Sequence, residues 1–331
     1  MTYELERRVA VEAVIKACKL CRTVQAAHLA GGVIDKEDKS PVTVADFGAQ
    51  AVVSDHLAAT FPHDPLVGEE DSALLRQPEN ATLKVTVMKH VRLISPHLKD
   101  KDIFAAIDRG NAEGGSKGRF WTLDPIDGTK GFLRGDQYAV ALALIEEGQV
   151  RLGVLGCPSL PLLSLQGQGG SLFVAVRGQG SSMREIDRSE ERKISVADIT
   201  SPSEALFCES FESAHSSHDD MGQIVKLLEV RRPPLRMDSQ AKYGILARGD
   251  GTVYLRLPTK KAYLEKIWDH AAGCILVEEA GGKVTDLSGK PLDFSQGKTL
   301  VKNKGVIATN GKLHEMVLNA VKSVISDQRS V

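Results

Sequence analysis

The sequence predicts an α+β first half, built on a largely antiparallel sheet, followed by an α/β second half. Three observations carry this reading. Between residues 138 and 176, short apolar runs follow one another across glycine turns with no helical segment between them, the pattern of a meander. From residue 205 onward, strand-like and helix-like runs alternate, as they do where helices cover a sheet. The intervening stretch, 177–193, is polar, charged and contains Gly and Ser, so it reads as a linker between domains of residues 1–185 and 186–331.

The elements follow in order. Over 4–29, Val9, Val11, Val14, Ile15, Cys18 and Leu20 recur at helical spacing, and Gly31-Gly32 would end that helix. Thr43 is a natural cap for a second helix running to about Phe61, with Asp46 in its first turn. A short apolar run, 65–68, reads as a strand delivering Glu69-Glu70-Asp71 at its end. Residues 80–118 read as one or two helices and a Gly-rich loop. Phe120 to Leu123 reads as the end of a buried strand, and a helix start is expected near Thr129. Strands are expected over 138–145, 149–157, 162–166 and 171–176, with turns at Gly148 and around 167–170. The second half reads as strand 205–209, helices 219–229 and 240–247, and strand 252–257. Helix 268–280, strands 283–286 and 305–309 and helix 312–325 complete it. Ala271, Ala272 and Gly273 would let helix 268–280 approach its neighbours closely, with Asp269 in its first turn.

With 331 residues, 42% of them hydrophobic, the chain has ample material for a packed core. The net charge is −1 and the Lys and Arg residues are scattered, so a nucleic-acid polymer is not an expected partner. No apolar run approaches the roughly 20 residues that span a bilayer, and the charged, helical start MTYELERRVAVEAV is not a signal peptide. Five cysteines, an odd and sparse set, suggest free thiols in a reducing compartment. Cys18 and Cys21 form a C-x-x-C, but no second pair completes a zinc site and no strand precedes it as a redox motif requires, so they read as helix-face residues. A cytoplasmic monomer without membrane attachment is the expectation.

The chemistry concentrates in residues 121–135, WTLDPIDGTKGFLRG. Asp124 and Asp127 at a strand end offer oxygen ligands of the kind Mg2+ prefers, and Pro125 restricts Asp124 to extended backbone. Gly128 permits a sharp turn, and free N–H groups of a helix beginning at Thr129 would favour a phosphate. Alone, such a stretch also reads as an ordinary turn with solvated aspartates.

The flanks change the weighting. Asp124-Pro125-Ile126-Asp127-Gly128-Thr129 resembles the D-P-[IL]-D-G-T signature of the lithium-sensitive, magnesium-dependent phosphatases, the inositol monophosphatase superfamily, and Trp268 to Gly273 resembles its WDxAAG. The stretch 36–46 resembles K-x-D-x-S-P-V-T-x-A-D, and Glu69-Glu70 resembles its G-E-E element. The resemblance implies an αβαβα sandwich and two or three Mg2+ ions held by Glu69, Asp124, Asp127, Asp269 and the Ile126 carbonyl. It also implies an in-line attack by an activated water, whose proton passes to Thr129 supported by Asp46, with phosphate held on amides near Gly128 to Lys130. Choosing Glu69 over Glu70 rests on the resemblance alone.

Further stretches narrow the match: 130–140, 213–219, 237–243, 254–258 and 266–273 together resemble the 3′(2′),5′-bisphosphate nucleotidases of fungi and plants across essentially the whole chain. That family, tied to sulfate assimilation, hydrolyses adenosine 3′,5′-bisphosphate (PAP) to AMP and accepts its sulfated relative PAPS. Lys242 and Arg256 would then hold the retained 5′-phosphate, and Ser239 and His215 the nucleotide, with Asp269 also meeting substrate. His215 fits the motif better than His218. Lys242 and Arg256 also read as ordinary surface cations, and Trp121 and Trp268 as core rather than base-stacking residues. An inositol polyphosphate 1-phosphatase and a non-catalytic nucleotide sensor are the alternatives.

Overall fold

In a computed structural model of the chain, residues 2–30, 40–162, 169–211, 218–258 and 263–327 are described. The expected glycine end of the first helix, His215, and all of the expected strand 162–166 except Leu162 lie outside them.

Helices α1 (Glu4–Ala30) and α2 (Ser40–Thr60) form the first layer. Helix α2 already contains Thr43, which is therefore not its cap, and Asp46 lies in the second turn rather than the first. Pro41, whose fixed φ suits a first helical turn, was the better start signal. Helices α3 (Ala81–Ile94) and α4 (Asp100–Asp108) fill the stretch expected to be helical.

Among the described residues the first sheet has seven strands in sequence order: β1 (Leu66–Gly68), β2 (Arg119–Asp127), β3 (Ala139–Glu146), β4 (Gln149–Cys157), β5 (Ser171–Val176), β6 (Gly180–Glu185) and β7 (Arg192–Ile194). Only the β1–β2 pair is parallel. The short α5 (Thr129–Arg134) follows β2. Alternation along the strands sorts the two faces. Val140, Leu142, Leu144, Leu172 and Val174 bury against α1 and α2, while Ala139, Ala141, Ala143, Phe173 and Ala175 face the other way.

The expected linker is folded. β6 and β7 add the last strands of this sheet, with Ser181 and Met183 turned inward and their neighbours half-exposed. Its polar composition is that of a sheet edge, where charged side chains discourage pairing with another chain.

Behind this sheet lie α7 (Ala241–Ala247) and α8 (Ala271–Glu279), both packed against β4, with α8 also reaching β3 and β5. The contact is close: a Cβ on Gly273 would stand 2.2 Å from the Tyr243 ring, and one on Gly153 2.5 Å from Ile275 Cγ2. Helix α8 starts later than expected, so Asp269 sits in the turn that leads into it. The second sheet runs in the order β11 (Lys283–Thr285), β12 (Val306–Thr309), β10 (Val253–Arg256), β8 (Phe207–Glu209), β9 (Leu235–Arg236). Tyr254, Val306 and Ala308 meet α7 and α8 on one face. Val253, Leu255 and Ile307 meet α6 (His218–Leu227) and α9 (His314–Asp327) on the other. The layers therefore read α, β, α, β, α. Among the described residues no helix is long and apolar enough to cross a membrane.

Candidate metal and phosphate site

The signature stretch is strand further along than expected: β2 continues to Asp127. Its pairing with β3 jumps from Asp124↔Ala141 to Asp127↔Ala139, so β2 carries one more residue than its partner. In a regular strand, residues three apart point to opposite faces. The extra residue of a bulge cancels that and turns both aspartates toward one side. Pro125, with no N–H to lose from the ladder, is suited to this place.

Asp124 is buried, and among the described residues its Oδ1 has no hydrogen-bond partner. Its carboxyl is pushed well above the usual range by burial first, then by the charges of Glu69, Asp127, Asp269 and Asp46. Glu69 follows β1, and its carboxyl is raised to about 7 by burial, then by Glu70 and Asp127, with a hydrogen bond to Asp124 opposing. The Glu69 residue as a whole is exposed, so solvent screens it more than Asp124. Asp269 is raised to about 7, again by burial first, with Arg256 and His270 opposing and Asp127 and Glu69 adding to the rise. Asp46 is raised well above its ordinary value by burial, Glu70 and Glu69. Five carboxyl groups from four separate parts of the chain thus share one neighbourhood, and one of them holds a buried, unpaired oxygen. Divalent cations fit that donor set, since they would neutralise the repulsion and use the orphaned oxygen.

Glu265, Asp269 and His270 also lie close enough together to hold an ion. There, however, Glu265 Oε2 accepts from Arg256 Nε at 2.8 Å and lies 3.1 Å from His270 Nε2. A cation placed between them would face a guanidinium, so the cluster around Asp124 fits better.

Beside the carboxylates is a cavity of about 130 Å3 whose lining includes Gly128, Thr129, Ser239, Lys242, Arg256 and Asp269. Gly128 has φ 90°, and a Cβ there would stand 2.9 Å from Ser239 Cβ. Ser239 itself has φ 67°, a strained value for a residue with a side chain, and its Oγ accepts from the Ala241 N–H at 3.1 Å. Lys242 is 2% exposed, so it is no surface cation. Its Nζ donates to the Met237 carbonyl at 3.1 Å and stands 5.2 Å from the centre of the Tyr254 ring. Burial brings its pKa down to about 8, Asp127 opposing and Arg256 adding to the fall. Arg256 is also largely buried, with Nη2 3.6 Å from Asp269 Oδ2. Thr129 opens α5 and is exposed; among the described residues no hydrogen bond joins it to Asp46. Trp121 and Trp268 are buried core residues, and Trp121 Nε1 donates to Asp64 at 3.1 Å. His215 lies outside the described residues, as does the side chain of His218.

Three supports escaped the sequence reading. Gln50 on α2 is fully buried; its Oε1 accepts from the Glu70 N–H at 3.1 Å, and its Nε2 donates to the Ile107 carbonyl at 2.8 Å and to the Glu70 carbonyl. Gln240 donates its backbone N–H to Asp127 Oδ2 at 2.6 Å and its side-chain amide to the Trp268 carbonyl at 2.9 Å, tying β2 to the Asp269 turn. The third is a buried line from Tyr243 through His270 and Glu265 to Arg256. Each bond joins residues distant in sequence or lies outside any ligand pattern. Gln240, Tyr243, Arg256 and His270 lie in stretches that carried the resemblance, but only Arg256 had a role assigned from them; Gln50 and Glu265 lie outside those stretches.

Comparison with known proteins agrees with this geometry. The profile of the Inositol monophosphatase family matches residues 3–326. A 3'(2'),5'-bisphosphate nucleotidase of Oryza sativa is 49% identical, covering 98% of this chain and 96% of the relative. One of Arabidopsis thaliana is 50% identical over 99% of this chain and 98% of the relative, and one of Schizosaccharomyces pombe is 44% identical over 98% and 97%. Among solved structures, an inositol monophosphatase from Anabaena superposes with a TM-score of 0.63 at 21% identity, covering 97% of this chain and 96% of that one. One from Zymomonas mobilis gives 0.64 at 22%, covering 97% and 99%. At these identities the structures speak for the fold, and the family match over nearly the whole chain speaks for descent. The chain belongs to the inositol monophosphatase family.

Proposed function

We propose that this chain is a Mg2+-dependent 3′(2′),5′-bisphosphate nucleotidase that removes the 3′-phosphate of adenosine 3′,5′-bisphosphate to leave AMP, and that also takes PAPS to adenosine 5′-phosphosulfate. One observation carries the reading: the buried Lys242, the largely buried Arg256 and two of the clustered carboxylates, Asp127 and Asp269, border the same small cavity. A substrate with one phosphate to lose and another anionic group to retain suits that arrangement. The near-full-length likeness to nucleotidases supports it.

Glu69, Asp124, Asp127, Asp269 and the Ile126 carbonyl would hold the ions, which we take to be two or three Mg2+. When bound, such ions lower the pKa of water and stabilise the leaving oxygen. The chain supplies the rest. Backbone N–H groups from Gly128 to Lys130 orient the scissile phosphate for in-line attack. Thr129 Oγ1 accepts the attacking water's proton, with Asp46 as the carboxylate behind it. Lys242 and Arg256 bind the 5′-phosphate, and the Ser239 hydroxyl binds the nucleotide. Arg's fork suits a bidentate phosphate contact. We also place the enzyme in the cytoplasm as a monomer, a location supported by its five free, buried cysteines.

The test against a nucleotide sensor is Asp127→Asn. On our reading it abolishes phosphate release from adenosine 3′,5′-bisphosphate in Mg2+, while unchanged release would refute the site. The test against an inositol polyphosphate phosphatase is Arg256→Ala. The kcat/KM for the nucleotide should fall steeply, through a raised KM; if it is spared while inositol 1,4-bisphosphate hydrolysis collapses, the alternative holds.

A further inference from the structure

We infer that Glu265 is a positioning residue for substrate specificity: it clamps the Nε edge of Arg256 so that the guanidinium presents its outer edge to the anionic group the substrate retains. The inference rests on the reading of Arg256 given above and adds what makes that arginine effective.

A free arginine side chain samples many rotamers, and binding an anion must fix them. Arg256 is fixed beforehand on three sides. Its Nε donates to Glu265 Oε2 at 2.8 Å, its Nη2 reaches the Tyr263 hydroxyl at 3.3 Å, and the same nitrogen stands 3.6 Å from Asp269 Oδ2. Of these, only Glu265 is a close, buried, charge-assisted contact, since it is 3% exposed and Tyr263 is exposed. Glu265 is itself held from behind: His270 Nε2 lies 3.1 Å from Oε2, and His270 Nδ1 lies 2.9 Å from the Tyr243 hydroxyl on α7. His270 and Tyr243 are both fully buried, so the clamp is anchored in the packed layer between the sheets. Among the described residues its other oxygen, Oε1, has no partner, and Arg256 and His270 are the groups that account for this buried acid.

The clamp also decides which carboxylate Arg256 uses. Without Glu265, the acid left beside the guanidinium is Asp269. Glu265 thereby keeps the guanidinium's charge turned toward the retained anion and away from the reacting phosphate's side of the cavity. A residue acting in this way affects binding of the retained group more than turnover of the phosphate that leaves.

The experiment is a double-mutant cycle on Glu265→Gln and Arg256→Ala, with kcat and KM measured for adenosine 3′,5′-bisphosphate in saturating Mg2+ and thermal unfolding recorded for each protein. Losing one charge-assisted hydrogen bond predicts a rise in KM of about tenfold or more for Glu265→Gln, with kcat within about threefold. Because Glu265 acts through Arg256, adding Glu265→Gln to Arg256→Ala should change KM no further. Glu265→Asp keeps the charge but shortens the reach; if Glu265→Gln fails to fold, the same KM rise in Glu265→Asp supports the inference and an unchanged KM overturns it. Effects that simply multiply in the double variant, or a fall in kcat at constant KM, overturn the clamp while leaving the nucleotidase reading in place. A wild-type enzyme inactive on the nucleotide overturns both.

Discussion

Replacing Gln50 by Ala should weaken both the fold and the metal response. The Gln50 amide is fully buried and bonds the Glu70 N–H, the Glu70 carbonyl and the Ile107 carbonyl. Its fit is tight: Cβ atoms on Gly68 and Gly110 would each stand 2.4 Å from an amide atom of Gln50. Alanine leaves those backbone groups without their partner, at about 1–3 kcal/mol for each that stays dry. Glu70 is only half-buried, so water recovers part of this, and a net loss of about 3–4 kcal/mol is expected. For 331 residues the unfolding entropy is about 0.7 kcal/mol/K, so the melting temperature should fall by about 4–6 °C. Because Gln50 anchors the residue next to Glu69, the Mg2+ concentration for half-maximal activity should rise about tenfold, as when an outer support of a metal ligand is lost. Urea and thermal unfolding in EDTA test the first number, and a Mg2+ titration of phosphate release tests the second. A variant within 1 kcal/mol of wild type and with an unchanged Mg2+ midpoint would refute the reasoning.

His314 is buried between Thr285 and Thr309, each hydroxyl 3.0 Å from a ring nitrogen, and burial followed by the Lys283 charge brings its pKa down to about 4. The unfolded chain, titrating near 6.5, binds the extra proton between those values, so this contribution is complete above pH 6.5 and is lost as the pH falls toward 4. His314→Gln should remove about 2–3 kcal/mol of that slope; a profile as steep as wild type's would count against it. Mg2+ at a hundred times its dissociation constant should stabilise the protein by about 2.7 kcal/mol. Asp124→Asn should lose that response yet be no less stable in EDTA, since it neutralises a buried carboxylate with an unpaired oxygen. A loss of stability in EDTA, or a preserved Mg2+ response, would show that Asp124 is not a cation ligand.

What was legible depended on how far each contact reaches. The strand alternation of β3 and β5 and the long period of α1 are local patterns, and they appear nearly at their expected bounds. The acids were legible as a set because short motifs carried them. How Asp124 and Asp127 turn to one side was not, since it depends on a bulge defined against β3. Gln50 is an ordinary amide in an apolar helix, with partners 20 and 57 residues away, and no local pattern announces it. From sequence Lys242 reads either as a phosphate-holding residue or as an ordinary surface cation, and its burial under Tyr254 depends on where α7 packs. The stretch taken for a linker misled because edge strands are polar for the same reason that linkers are: both meet water.

Phosphate release from adenosine 3′,5′-bisphosphate, with and without EDTA, beside inositol 1,4-bisphosphate and inositol 1-phosphate, decides whether this chain is a metal-dependent nucleotidase. Strong, EDTA-sensitive release from the nucleotide with AMP as the product is the expected result. Release from an inositol phosphate alone, or from none of the three, would contradict it.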